Sequence, residues 1–321
     1  MINIAILGLG FMGKKYLTAI EGIDEAQVSA IIDDSATENI ENIPYFKSLD
    51  DFLCSEIKMD LVVISTPNYL HFSQAKTLLE HGYHILIEKP FCLKGSDMEV
   101  LIKIAQEKQL KIFFSTPNRF SPALAWLKKI QSENILGQSY LVQVNCFWNR
   151  DQRYYTPQSW KGKKELDGGT LYTQFFHFLD LILFTFGKAE LLSSYMDTFR
   201  HQSLVEIEDT GVLTLKLATG GLVNFNFTTA VWDKNMETSM NIIAENGSVK
   251  ISGQYFDEVS ICNLKNYKFS LDEITDNEYS NLQLNLKYAL KKLYDTECDL
   301  EEMLYHQNLI SLVEDIYRNS K

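Results

Sequence analysis

The sequence predicts an α/β protein in two parts. A doubly wound parallel sheet with helices on both faces comes first, and an α+β domain with a large, mostly antiparallel open sheet follows. Three observations carry this prediction. Short, continuous apolar runs alternate with amphipathic helical stretches through residues 1–120. A glycine-rich turn joins the first run to the first helix. Beyond residue 186 the pattern changes to strand candidates in series, separated by turn signals.

Residues 4–7 are apolar and too few for a helix, and they stop at glycines, so they read as a buried strand. A helix follows, its apolar stripe carried by Tyr16, Leu17 and Ile20. Residues 28–32 are the next strand and end on Asp33 and Asp34. Residues 61–64 are a third strand, leading to a helix over about 71–81; residues 84–87 are a fourth, followed by a helix over about 96–108 and a strand at 112–114. At about 150 residues per domain, a chain of 321 suits two domains. The change of pattern puts the boundary near residues 118–122, giving domains 1–120 and 121–321. The second opens with a helix over 122–132 and a long strand over 140–148. A loop rich in aromatic and basic residues (149–164) leads to a helix over about 170–186. Strands at 191–196, 211–217, 222–229, 240–244 and 249–251 follow, with Gly220-Gly221 and Asn246-Gly247 as hairpin turns. Helices over 282–294 and 300–317 close the chain.

Composition narrows the function. Thirty basic residues against forty-two acidic ones give a net charge of −12, which disfavours nucleic-acid and anionic-membrane partners but leaves room for a local basic pocket. Hydrophobic residues at 45% and charged residues at 22% are ordinary for a folded chain. Five cysteines (54, 92, 146, 262 and 298) form no CxxC pair, so neither a disulfide framework nor a metal site is expected, and reduced thiols in the cytoplasm fit better. The most apolar stretch, 175–186, is too short to span a membrane and carries His177 and Asp180. The apolar N-terminus has no preceding positive charge, unlike a signal peptide.

Gly8-Leu9-Gly10-Phe11-Met12-Gly13 is a GxGxxG between a strand and a helix, the context that a dinucleotide site requires. Gly8 permits the tight turn, Gly10 lets the backbone approach a pyrophosphate, and Gly13 allows close helix packing, with the phosphates at the helix N-terminus. About twenty residues on, Asp33 is placed to accept both ribose hydroxyls of NAD and to repel the 2′-phosphate of NADP. Asp34 adds negative charge, so NAD is expected and NADP less so. Ser65, Thr66, Pro67 and Asn68 follow a strand where loops line the ligand crevice, and Asn68 and His71 also suit turn and cap chemistry. Glu88-Lys89-Pro90 ends another strand, aiming Lys89 at the same crevice. With Asn118 near the boundary, these are the expected cofactor contacts. His177 lies on an otherwise apolar helix, and an i, i+4 spacing puts Thr173 on its face.

The GxGxxG turn, STPNYLH (65–71), GYHILIEKP (82–90) and DGGTLYTQFFHFLD (167–180) together resemble the Gfo/Idh/MocA family, over essentially the whole chain. The resemblance implies a Rossmann domain, then an α/β domain whose open sheet supports a homodimer or homotetramer. It also implies hydride transfer between a nicotinamide and a sugar-ring or cyclitol carbinol carbon, an oxidoreductase acting on CH–OH. Lys89 would then polarise or orient the reacting oxygen, His177 would exchange its proton, and Thr173 would bond a substrate hydroxyl. Many relatives have aspartate and glycine where this chain has Thr173 and Phe175, which weakens an inositol dehydrogenase assignment. The NRFSP segment at 118–122, FWNRDQRYY at 147–155 and Ser159-Trp160-Lys161-Gly162 look more like bacterial sugar-nucleotide dehydrogenases, which oxidise C3 of a UDP-N-acetylated hexosaminuronic acid for surface polysaccharides. Arg119, Arg150, Trp160, Lys161, Thr173, Gln174 and His177 are the expected substrate contacts, arginine forks suiting phosphate and carboxylate and aromatic rings suiting a base or sugar face. A 3-ketosugar reductase, an inositol dehydrogenase-like enzyme and a non-catalytic dinucleotide or sugar sensor stay open beside this reading.

Overall fold

In the computed structural model, which describes residues 1–35, 40, 43–274, 278–295 and 299–320, the first part of the chain alternates strand and helix. It runs β1 (Ile2–Leu7), α1 (Phe11–Glu21), β2 (Ala26–Ile32), β3 (Tyr45–Phe46), α2 (Leu49–Cys54), β4 (Leu61–Ile64), α3 (His71–Glu80), β5 (Ile85–Ile87), α4 (Gly95–Lys108) and β6 (Ile112–Phe114). Next come α5 (Pro122–Ser132), β7 (Ser139–Phe147), α6 (Lys164–Asp167) and α7 (Phe176–Phe186). Strands in series follow: β8 (Ala189–Asp197), β9 (Thr210–Leu217), β10 (Leu222–Thr228), β11 (Glu237–Ala244), β12 (Gly247–Ser252) and β13 (Glu258–Leu264). Helices α8 (Asn281–Lys292) and α9 (Leu300–Asn319) end the chain.

The chain forms two compact units. The first comprises residues 1–117 and 279–310. Its sheet has the order β3-β2-β1-β4-β5-β6 and is parallel throughout. The order reverses between β1 and β4, and the carboxyl ends of strands at such a switch are where α/β sheets take their ligands. Strands β4 and β5 are buried at every position, because helices cover both faces. Ile4, Ile6, Leu61, Val63 and Leu86 share one core cluster with Tyr16 and Ile20 of α1 and with Leu286, Ala289 and Leu290 of α8. That cluster explains a difference from the sequence reading, which groups residues 279–310 with the second domain. The apolar stripe of α8 packs on α1 instead, and Gln283 sits over Gly22 and donates to the Ala19 carbonyl.

The second unit comprises residues 118–278 and 311–321. Its sheet has the order β13-β12-β11-β7-β10-β9-β8, with β7 and β10 parallel and every other pairing antiparallel. Val144, Leu213, Leu215, Phe225, Phe227, Met240 and Ile242 are buried on its inner face, where Phe175 meets Phe225 and Phe227. The short elements β3 and α2 and the mostly exposed strand β13 carry no clear periodic signal in the sequence. Residues 171–175, expected as the start of an α-helix, form a π-helical turn ahead of α7.

Candidate active site

The three glycines after β1 have separable roles. Gly8 adopts φ +94°, and a Cβ there would lie 2.8 Å from Thr66 Cγ2. A Cβ on Gly13 would fall 2.0 Å from the Gly8 carbonyl oxygen, so this position admits only glycine for packing reasons. Gly10 differs: its φ of −72° suits any residue, and a Cβ would meet nothing within 4 Å. Neither backbone nor packing demands a glycine there, which fits close approach of a ligand to the main chain. The first turn of α1 has no acidic residue, so its amide dipoles stand uncompensated, as a pyrophosphate requires. These features fit a dinucleotide. Phe11 is exposed beneath the Lys15 ammonium, whereas Met12 packs on the core, so only the amide of Met12 is left for a ligand.

Asp33 stands at the carboxyl end of β2. Its Oδ2 accepts the Leu9 N–H (2.6 Å), and its Oδ1 accepts the amide and hydroxyl of Ser35 (2.9 and 3.0 Å). Both oxygens are oriented by these donors, Oδ1 by two and Oδ2 by the Leu9 amide. Asp34 beside it is exposed. Ser65 donates to the Gly8 carbonyl (2.7 Å), Thr66 to Gln74 (2.5 Å), and Pro67 leads into the short turn that buries Asn68. These residues build the loop after β4, directly beside the glycine turn.

The turn after β5 is braced from beneath. Glu88 is buried, and its Oε1 accepts the hydroxyls of Tyr16 (2.8 Å) and Ser115 (2.6 Å) while Oε2 accepts the Lys89 N–H (3.2 Å). Burial, with Glu88 alongside, pushes the Tyr16 phenol well above its ordinary pKa. Lys89 is half-buried, and its peptide bond to Pro90 is cis. His71 is buried with Nδ1 2.7 Å from the Pro90 carbonyl and Nε2 2.8 Å from the Thr66 carbonyl, and burial lowers its pKa. It therefore clasps the loops after β4 and β5 together.

In the second unit, Arg150 follows β7. Its Nε donates to Gln174 (2.7 Å), and its Nη1 donates to the Asn149 carbonyl (2.6 Å) and Asn235 (3.3 Å). Gln174 in turn donates to the Tyr154 hydroxyl (2.7 Å), and the Lys161 ammonium lies 4.1 Å over the Tyr154 ring. Among the described residues, Arg150 Nη2, Lys161 Nζ and the Tyr154 hydroxyl proton have no acceptor, and neither cation has an ion-pair partner. Burial lowers the pKa of Arg150; for Lys161 burial acts first and Arg150 adds to it, against the opposing pull of Asp167. Trp148 links this cluster to the half-buried His177, its ring 4.9 Å from the Arg150 guanidinium and 6.0 Å from the imidazole.

Residues 2–116 match the NAD-binding Rossmann-fold domain of the Gfo/Idh/MocA oxidoreductase family, and residues 124–250 match that family's C-terminal domain. The chain belongs to the Gfo/Idh/MocA family. It is thus an oxidoreductase with an NAD-binding Rossmann domain. It is similar to the WlbA dehydrogenase of Bordetella pertussis, solved with NADH and UDP-GlcNAcA, at TM-score 0.87 and 29% identity over 99% of this chain and 96% of that one. The WlbA dehydrogenase of Chromobacterium violaceum, with the same two ligands, gives TM-score 0.88 and 28% identity over 99% and 93%. A further relative is the 2,7-anhydro-N-acetylneuraminate hydratase of Escherichia coli K12, 26% identical over 263 residues, 79% of this chain and 68% of that protein.

Several residues singled out from the sequence have partners within the protein. Arg119, expected on substrate, forks onto Asp180 through Nε (2.8 Å) and Nη2 and lies 4.6 Å over Phe184, a nearly buried ion pair. Thr173 donates to the buried Asp167, which also accepts the Gly162 N–H (2.6 Å), so it holds the turn before the helix. Glu88 and His71, expected on the cofactor, spend their polar atoms on the protein's own loops. Asn118 lies in a 3-10 turn beyond β6, and Trp160 is half-buried in the loop before α6. Tyr154, read from the sequence only as a stacking ring, also brings its hydroxyl into the cationic cluster, where it accepts from Gln174, and the brace from Tyr16 has no signal beyond helix periodicity.

Proposed function

We propose that the protein oxidises a ring hydroxyl of an anionic sugar with NAD, the substrate being a UDP-linked N-acetylhexosaminuronic acid and the reacting carbon C3. The observation that carries this reading is the cluster of Arg150 Nη2, Lys161 Nζ and the Tyr154 hydroxyl beside His177. Two half-buried cations without a counter-ion disfavour folding, and in a chain of net charge −12 carboxylates are plentiful, so leaving these two unpaired points to an external anion. The open edge of Arg150 suits a carboxylate or phosphate. A neutral sugar could offer its hydroxyl oxygens to these donors but would leave the two positive charges uncompensated. UDP-GlcNAcA in the two WlbA neighbours supports the same class.

When bound, NAD supplies the hydride acceptor. Lys89 orients the reacting oxygen and stabilises negative charge on it, and neutral His177 takes the hydroxyl proton as the carbon loses its hydride and becomes a carbonyl. The imidazolium then releases that proton to solvent. Asp33 holds the ribose hydroxyls and disfavours NADP. We also infer self-association through the outer face of the second unit's sheet, where Tyr195, Val212, Leu222, Ile243 and Ile261 are exposed. A cytoplasmic location accords with free thiols at Cys54, Cys92, Cys146 and Cys262, Cys298 lying outside the described residues. No helix among the described residues is long and apolar enough to cross a membrane.

The test is NADH formation from NAD with UDP-N-acetylglucosaminuronic acid, compared with UDP-N-acetylglucosamine, which keeps the diphosphate but lacks the sugar carboxylate. Lys161→Met is expected to lower kcat/KM on the acid by roughly 10- to 100-fold, the worth of one charge-assisted hydrogen bond, and to leave UDP-N-acetylglucosamine unaffected. An equal loss on both substrates overturns the carboxylate assignment, and no loss on either overturns the anion reading. Product without NADH accumulation would instead indicate a hydratase-type reaction, like that named for the Escherichia coli relative.

A further inference from the structure

The helix that carries His177 is held at its start by groups from distant parts of the chain. Thr170, at its N-cap, makes no capping bond with its own side chain. Glu208, two residues before β9, supplies the acceptor: its Oε1 takes the N–H groups of Thr170 (2.8 Å) and Leu171 (3.3 Å). The Thr170 hydroxyl turns to the Glu208 carbonyl. Tyr317, near the end of α9, donates its hydroxyl to the same Oε1 (2.6 Å) and accepts the Leu171 N–H (3.1 Å). Its ring stacks on Tyr172 with centroids 5.6 Å apart and planes 7° apart, and Tyr172 stacks on Phe176 at 6.2 Å.

The turn before the helix is shaped to admit this arrangement. Gly169 has φ +124°, and a Cβ there would lie 2.0 Å from the Tyr317 hydroxyl oxygen. The second glycine of the Asp167-Gly168-Gly169 turn is thus required by Tyr317 as much as by the backbone. An acceptor at a helix N-terminus satisfies amides that would otherwise lack partners. A π-helical turn is a strained start for a helix, so its register depends on what holds its first amides.

We propose that Glu208 is a positioning residue of the hydride-transfer site: together with Tyr317 it fixes the helix start that presents Gln174 and His177. The proposal rests on the reading that His177 exchanges the substrate proton. Gln174 follows the first π-helical residues directly and braces Arg150 and Tyr154, so a shift at the helix start reaches the cationic cluster as well as His177.

The experiment compares Glu208→Ala, Glu208→Gln and Tyr317→Phe in the full chain. The readouts are kcat, KM for each substrate, and the His177 imidazole resonance of histidine-labelled protein, assigned by its loss in His177→Gln. Glu208→Ala is expected to lower kcat at least 10-fold, to leave KM for NAD within about threefold of wild type, and to displace the His177 resonance. Glu208→Gln, which keeps an acceptor oxygen, is expected to restore both readouts most of the way. Should Glu208→Ala fail to fold, Tyr317→Phe carries the test, with a smaller change in the same direction. A lower melting temperature with unchanged kcat and an unmoved His177 resonance overturns the proposal, as does a Gln variant no better than Ala. Wild-type turnover in His177→Gln would sink the proton-exchange reading alone, since the His177 resonance still tests the positioning of the helix.

Discussion

Two alanine substitutions in one turn are expected to fail in opposite ways. In Gly13→Ala the new Cβ would lie 2.0 Å from the Gly8 carbonyl oxygen and 3.2 Å from Ser65 Oγ. The nearer atom belongs to the backbone of a tight turn, so helix and turn must part by about an ångström. Overpacking costs about 1–3 kcal/mol, and a clash with main chain belongs at the upper end. Alanine's better helix propensity returns about 1 kcal/mol, leaving a net loss of about 2 kcal/mol. For a domain of this size that is a fall of about 4–8 °C in the Tm of the cofactor-free protein. Gly10→Ala creates no contact within 4 Å and keeps an allowed backbone, so its cofactor-free Tm should stay within about 2 °C of wild type. Its methyl group stands where the pyrophosphate must approach. Losing one charge-assisted hydrogen bond there weakens NADH binding by roughly 10- to 100-fold. Thermal melts without ligand and titration of NADH fluorescence measure both. A Gly13→Ala melt equal to wild type, or wild-type NADH affinity in Gly10→Ala, would refute the reasoning.

Two other outcomes are expected. Lys89→Ala should lower kcat by about 10²–10⁴ with the NADH Kd within a few-fold of wild type; turnover within a few-fold of wild type would remove Lys89 from the chemistry. Burial pushes the Glu208 carboxyl up to about 7 from its ordinary 4.5, so between these values the folded chain holds a proton that the unfolded chain has released. That contribution to stability is present below pH 4.5 and is lost as pH rises towards 7. Glu208→Gln lacks it, so urea unfolding at pH 5 and pH 7.5 should show the variant gaining on wild type at the higher pH, and a constant difference between the two would contradict this account.

What the sequence displayed, and what it hid, follows from where burial is visible. Strands β4 and β5 are covered on both faces and must be continuous apolar runs, so they stand out against the helices around them. Strand β3 has two residues and β13 is largely exposed, and neither has a periodicity to detect. The stripe on α8 says that the helix packs, but the partner is α1, far away in sequence, and only the folded core reveals that choice. The stretch 171–175 is apolar enough for an α-helix, and its π-helical turn depends on amides held by Glu208 and Tyr317, which no local pattern encodes.

The candidate site shows the same limit at the level of single charges. Arg119 and Arg150 look alike in the sequence, each an arginine among aromatic residues near a domain boundary or loop. Folding gives Arg119 a carboxylate, Asp180, and gives Arg150 two amide oxygens, a carbonyl and two rings. A buried guanidinium paired with a carboxylate is neutralised, and recruiting it to a ligand would strand the aspartate at a cost of several kcal/mol. A guanidinium held by neutral acceptors is oriented without being neutralised, so its field still reaches an incoming anion. Lys161, its ammonium over the Tyr154 ring, adds to that field. The histidines divide likewise: both ring nitrogens of His71 are engaged by backbone carbonyls, whereas the half-buried His177 has its ring against Trp148 and Phe178. Residue type thus names the groups capable of chemistry, and the charge left uncompensated after folding selects those that an anionic substrate would meet.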